Sequence, residues 1–385
     1  MAKRARAVRW GVPVAAVAVV AAAVGTGPVI AAVRSDPSLP DRTAEQLLAD
    51  VARTWQSGRM PQMSGTIVET ASLGLPALPG LSGAPGPSGA SAASLLSGSH
   101  QLKIWYAGED RFRLMLPGEM SETDVVADGG TVWLWDSAAN TATRLTAPAA
   151  SAGRPDHAFP LPSGSASPFA TPEQAARQAL QAAGTDTAIS VGDVVTVAGR
   201  AAYQIVLTPK SPDSLIKDVR VALDGEKLMP LRVQVYAKGA AEPAFEVGFE
   251  SLSFTAPAPE NFSFTPPPGA KVEQATATPP IGHRPEEAAE AHDRGHVVGS
   301  GWDSVLVTSL PAVPAQKQEG KGRDGVDLAA LLDGVKSAAT PVSGEWGSGR
   351  LLRTKVVSIL ITDDGRLLAG AVTPEALYRA AGVKE

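Results

Sequence analysis

The chain has 385 residues, 44% of them apolar, with 34 basic against 39 acidic side chains and no cysteine. That is enough apolar material for a sizeable core, while the missing cysteine excludes a disulfide framework, a cysteine metal site, a thiol nucleophile and a lipidated N-terminal cysteine. Setting aside the four basic residues among the first 33, the rest carries 30 basic against 39 acidic side chains, a net charge of −9 that argues against nucleic acid as a partner.

Lys3, Arg4, Arg6 and Arg9 precede an apolar run of 22 residues, Val12 to Val33. A signal-peptide core is shorter, and this run is long enough to cross a bilayer. Residues 1–33 are therefore expected to be an N-terminal transmembrane helix, with the basic flank cytoplasmic and everything after Arg34 outside the cytoplasm at the cell membrane. Small residues around Ala31 and Ala32 leave the alternative of a cleaved signal and a secreted protein.

Thr43, with Gln46 three residues on, predicts a helix cap, and Leu47, Leu48, Val51 and Trp55 predict its apolar stripe. Met63 to Thr70 alternates as a first strand, with Gly65, Ile67 and Glu69 on one face. Residues 71–99, almost uncharged, read either as a disordered insertion or, given Leu73, Leu75, Leu78, Leu81, Leu95 and Leu96, as a mobile apolar lid. Strands follow at Leu102 to Tyr106 and Arg111 to Leu116. Next comes a hairpin in which Asp128-Gly129-Gly130 joins Val125-Val126 to Val132 through Trp135. Trp133 and Trp135 share one face of that strand, and Val132 and Leu134 the other, so both faces are apolar and one is expected to line something. Thr141 to Leu145 is a further strand, 147–170 a second loop, and Thr171-Pro172-Glu173 opens a helix through Ala183.

From Val191 to Phe264 the apolar alternation predicts an antiparallel meander, with a turn at Asp224-Gly225. Residues 273–299 read as a charged Pro/Ala/His linker. Residues 300–385 read as a small α+β extension: a strand at Ser304 to Leu310, a helix at Val326 to Ser337, a hairpin across Asp363-Asp364-Gly365 and a last helix opened by Thr373-Pro374-Glu375.

There is no nucleophile elbow, phosphate loop or dinucleotide fingerprint. His283, His292 and His296 fall in the linker, where a solvated charged stretch is the ordinary case. The expectation is a protein that is no enzyme and uses no cofactor or metal. The informative feature is the apolar strand faces, because two helices are too few to cover so many strands, and incomplete filling leaves a cavity. Strand position alone nominates Ile104, Trp105, Tyr106, Phe112, Leu114, Trp133, Trp135, Tyr203, Val233, Val235, Phe245 and Phe249 as lining or core residues.

Several of these segments resemble the lipoprotein-carrier superfamily of LolA and RseB. They are Leu102 to Tyr106, Phe112-Arg113-Leu114, the Asp128-Gly129-Gly130-Thr131-Val132-Trp133 hairpin, and Ile216 to Asp224 leading to Leu228-Met229-Pro230-Leu231-Arg232. The resemblance runs from about residue 41 to 272, closed by Asn261 to Pro267, and its style resembles membrane-tethered relatives in actinobacteria. It implies an α+β fold in which residues 41–272 form an unclosed antiparallel β-barrel, a half-barrel with covering helices. The concave apolar side of that half-barrel receives the acyl chain of a lipid or lipoprotein. An RseB-like member would instead regulate a membrane protein partner such as an anti-sigma factor. One departure is visible: Ala107-Gly108-Glu109-Asp110 lacks the arginine with which LolA holds its lid shut.

Overall fold

The protein was analysed as a computed structural model, which describes residues 39–56, 60–75, 97–118, 120–146, 186–276, 295–310, 334 and 337–382. Its first helix, α1 (Ala44–Gln56), starts at the reciprocal cap its sequence predicts. The Thr43 N–H donates to Gln46 Oε1 at 3.0 Å and the Gln46 N–H to Thr43 Oγ1 at 3.3 Å. Leu47 and Val51, one turn apart, are buried.

Thirteen strands then form one sheet made of two antiparallel meanders. The first comprises β1 (Met63–Ser72), β2 (Ser97–Gly108), β3 (Arg111–Pro117), β4 (Glu122–Asp128), β5 (Thr131–Asp136) and β6 (Thr141–Thr146). The second comprises β7 (Thr187–Val191), β8 (Val195–Val197), β9 (Arg200–Pro209), β10 (Ile216–Asp224), β11 (Pro230–Ala237) and β12 (Phe245–Ser253). They meet where β1 pairs antiparallel with β12, Ile67 opposite Phe249 and Ala71 opposite Phe245, across a bulge between Thr66 and Ile67. Gly65 is required at this seam, because a Cβ there would lie 2.3 Å from the Ser251 carbonyl oxygen.

β13 (Lys271–Thr276) lies parallel to β6, so the sheet is mixed and not wholly antiparallel as expected. The reason is the path of the chain. After β12 it crosses β3 and β4 in a short 3₁₀ turn, Pro259–Phe262, and arrives at β6 from the far side. The Asn140 side-chain amide donates to the Gly269 carbonyl at 3.0 Å, and the Lys271 N–H to the Asn140 carbonyl at 2.9 Å, fixing that arrival. Among the described residues β13 and β7 end the strand order and do not pair, so the sheet is not closed into a barrel.

The Asp128-Gly129-Gly130 turn is as tight as predicted, with φ of 56° at Gly129 and 90° at Gly130. Asp224 closes the β10–β11 turn from inside the protein. It is fully buried, accepts from the N–H groups of Glu226 and Lys227 at 3.1 and 2.7 Å, and pairs with Arg200.

The last strands build a second sheet in the order β14 (Gly295–Val298), β15 (Val305–Ser309), β19 (Arg366–Gly370), β18 (Ser358–Thr362), β17 (Gly347–Arg353) and β16 (Thr340–Gly344). Helix α2 (Pro374–Gly382) packs on it through Leu377, Ala380 and Ala381. Strands β13 and β14 thus occupy the two ends of the stretch that reads as a linker. Residues 39–385 form one compact unit, in which this sheet docks on the large one: Ser214 bridges to Val372, Trp302 Nε1 donates to Thr187 Oγ1 at 2.7 Å, and Val356 enters the main core.

The expected transmembrane segment, the first long loop apart from its ends, the whole second loop, the helix from Thr171, His283 and His292 lie outside the described residues, as does nearly all of the helix expected over Val326 to Ser337. Among the described residues no helix is long and apolar enough to cross a membrane, and the covering helix on the large sheet is α1.

Candidate functional site

The side chains of a strand alternate, so the ladder register assigns every residue of the sheet to one of two faces. The inner face is the one that carries the main core with α1. Across the first meander it runs through two rows. One is Ile104, Leu114, Val125 and Leu134; the other is Tyr106, Phe112, Ala127 and Val132. Across the second it runs through Tyr203 and Leu223, Ile205, Val221 and Val233, and Leu207, Val219, Val235 and Phe245, reaching β1 through Phe249 and Ile67.

Nine of the nominated residues therefore share the inner face: Ile104, Tyr106, Phe112, Leu114, Tyr203, Val233, Val235, Phe245 and Phe249. They differ in what the fold does with them. Ile104, Tyr203, Val233 and Phe249 are buried in the core, and the Tyr203 hydroxyl donates to the Pro40 carbonyl at 2.9 Å. Tyr106, Phe112, Leu114, Val235 and Phe245 are half-buried.

Trp105, Trp133 and Trp135 stand on the outer face, so a single cavity lined by all the nominated aromatics does not form. The same alternation that gave β5 two apolar faces sends its tryptophans outward, and the chain has a separate partner for them. Phe264, on the segment that crosses to β13, packs at 5.5 Å from Trp133 and 6.1 Å from Trp135, centroid to centroid. Beside them Arg113 pairs with the buried Asp124 and lies over Trp105 at 5.6 Å. Burial pushes the Asp124 carboxyl up, and the bond to Arg113 offsets part of that. A shallow hollow of about 320 Å³ on this outer face, at the β1–β2–β12 seam, is lined by Ser64, Thr66, Lys103, Trp105, Ser251 and Ser253 among others.

Phe264 thus covers the tryptophan side of β5, while the Val132–Leu134 side continues the inner wall. Over β3 to β5 that wall holds Phe112, Leu114, Leu116, Val125 and Leu134, half-buried beside the buried Ala127 and Val132, whereas the face of β9 to β12 is filled apart from Val235 and Phe245.

Glu69 is a residue of this face that strand position did not nominate. It is 4% exposed, sits between Ile67 and Ala71 on β1, and faces His100 across β2 and Val247 across β12. Its Oε2 has no hydrogen-bond partner among the described residues. Burial pushes its carboxyl up to about 7, with His100 pulling the other way. The signal was present in the sequence, since period-two alternation puts this acid on the same face as Ile67.

No family model and no curated relative matches the chain. Solved structures similar to it include MucB in complex with MucA(peri), at 14% identity over 88% of this chain and 97% of that one, with a TM-score of 0.39. The MucA/MucB complex of Pseudomonas aeruginosa follows at 15% identity over 87% and 95%, also with a TM-score of 0.39. A LolA superfamily protein from Nitrosomonas europaea is similar at 11% identity over 58% of this chain and 99% of its own, with a TM-score of 0.21.

Proposed function

We propose that the protein is an extracytoplasmic binding protein, not an enzyme, that holds the acyl chain of a lipid or lipoprotein against the inner wall of its sheet, tethered to the membrane through residues 12–33. The observation that carries this reading is the half-buried apolar wall of Phe112, Leu114, Leu116, Val125 and Leu134, whose reverse side carries tryptophans packed on Phe264. Neighbouring strands are about 4.8 Å apart, so β3 to β5 offer roughly 10 Å of wall, enough for part of an extended acyl chain. Burial of such a chain is worth about 0.8 kcal/mol per methylene, and the bilayer returns about as much. Transfer is therefore near balance, which suits exchange or sensing and not storage.

Native mass spectrometry of the full chain purified from a bacterial host tests this. A co-purifying lipid is expected, and Leu114→Asp or Leu134→Asp should strip it while the outer-face change Trp105→Ala leaves it. A lipid-free mass in repeated preparations would sink the reading.

A regulatory role on a membrane protein partner is the second reading. One observation favours it: Val297 and Leu306, paired across β14 and β15, are 60% and 46% exposed on the face of the second sheet opposite its core. Val297→Asp with Leu306→Asp should abolish partner capture and leave lipid occupancy unchanged.

A further inference from the structure

Glu69 on β1 is a buried carboxyl whose Oε2 has no hydrogen-bond partner among the described residues. We propose that Glu69 recognises the head of the bound molecule, and that this molecule is an amphiphile whose head is a cationic amine. The proposal rests on the reading of the inner wall as the lipid-binding surface and adds the chemical class of the ligand.

The geometry is specific. The ladder partners of Glu69 are His100 and Val247, and the same-face neighbours around them, Ile67, Ala71, Leu102 and Phe245, are apolar. The other charged groups nearby face elsewhere. Lys103, Arg232 and Glu246 alternate onto the outer face, Glu250 is the exposed extra residue of the bulge, and Lys355 of the second sheet donates to Ser72, also an outer-face position. Among the described residues His100 and Tyr106, both on β2, are the other ionisable side chains on this face of β1, β2, β11 and β12.

A carboxyl taken out of water without a hydrogen-bond partner costs stability, and a glutamine or leucine would remove the charge at no loss of fit to the strand. Residues that cost a fold stability in this way concentrate where something binds. An ammonium head supplies N–H donors for the Oε2 oxygen, together with a full positive charge. The half-buried part of the wall begins beyond the buried Leu102 and Ile104, at Leu116 and Leu114 on β3, and the tail lies there. An anionic head would meet like charge, and a hydroxyl head would satisfy the oxygen without neutralising it. The rise of the carboxyl to about 7 places the change between its neutral and charged forms close to neutral pH, so affinity for an amine should climb as pH rises through that range.

Calorimetric titration of the full chain with dodecylamine, dodecanol and dodecanoate at physiological salt tests this. At about pH 8 the amine should bind about tenfold tighter than the alcohol and the carboxylate most weakly. The amine preference should shrink toward pH 5.5. Glu69→Gln should bring amine and alcohol to the same affinity without weakening the alcohol, and Glu69→Leu, which needs no polar partner to fold, should do the same. Equal binding of amine and alcohol by the natural chain, or a preference that survives in both variants, overturns the inference and leaves the lipid-binding reading standing. Failure of all three probes to bind removes that reading and this one with it.

Discussion

The two meanders are built from the same kind of strand and finish differently. In the second, the inner face is filled: Ile205, Leu207, Val221, Leu223, Leu231 and Val247 are completely buried. In the first, β3 to β5 fill neither face completely, although Ala127 and Val132 are buried on the inside. There Val126, Trp135 and Asp124 are closed off on the outside while Leu114, Val125 and Leu134 stay half-buried on the inside. Half of this sheet behaves as a core and half as a wall. A protein that needed only stability would gain by filling both.

The largest test of that contrast is a pair of truncations. Leu231→Ala in the filled half should cost about 4 kcal/mol, because neighbours on every side leave a cavity, whereas Leu114→Ala in the open half should cost about 1 kcal/mol. Urea unfolding of the two variants measures the difference, and equal costs would mean the two halves are packed alike.

Asp224→Asn should cost about 3 kcal/mol by leaving Arg200 without its buried partner. Burial alone would raise this carboxyl, but Arg200 and the N–H groups of Lys227 and Glu226 together hold it below its ordinary value. A carboxyl held low contributes stability that is present above the ordinary aspartate range and lost as pH falls below it. The natural chain should therefore lose stability on acidification more steeply than the variant, as read from melting temperature against pH.

Glu69→Gln works in the opposite direction. With its carboxyl raised to about 7, the folded protein holds this proton more tightly than the unfolded chain, so stability declines as pH rises from about 4.5 to 7 and then levels. The variant should gain about 2 kcal/mol at pH 8 and show almost no difference at pH 4.5. Thermal melts at both values decide it, and an unchanged melting temperature at pH 8 would show that the carboxyl is solvated.

The smallest effect concerns the outer side of the open half. Phe264→Ala should cost about 1 kcal/mol from two aromatic contacts. It should also shift tryptophan emission to the red as Trp133 and Trp135 meet water. Fluorescence reads this directly, and an unshifted spectrum would mean that other groups seal the pair.

Much of the fold was legible because it is written in local periodicity. The cap at Thr43 and Gln46, the positive-φ pair Gly129-Gly130, and the alternation of β9 to β12 each depend on residues a few positions apart. β7 and β16 escaped notice, since Thr187–Val191 and Thr340–Gly344 carry little apolar contrast and are strands because β9 and β17 pair with them. Which residues of one strand share a face, as Ile104 does with Tyr106, needs no knowledge of partners, but the face that different strands have in common came from the ladder register.

Which of those residues form core and which stay half-buried depended on something no local pattern holds, the distant segments that come to lie against each face. Phe264, more than a hundred residues from Trp133, claimed the tryptophan side of β5. The crossing that carries Phe264 also set β13 parallel to β6. The sequence by itself determined that each strand has an apolar face and that Glu69 lies on one. Tertiary structure decided that this acid would be buried, with one oxygen that no described residue hydrogen-bonds, because desolvation is a property of everything packed around a group and not of its neighbours in the chain.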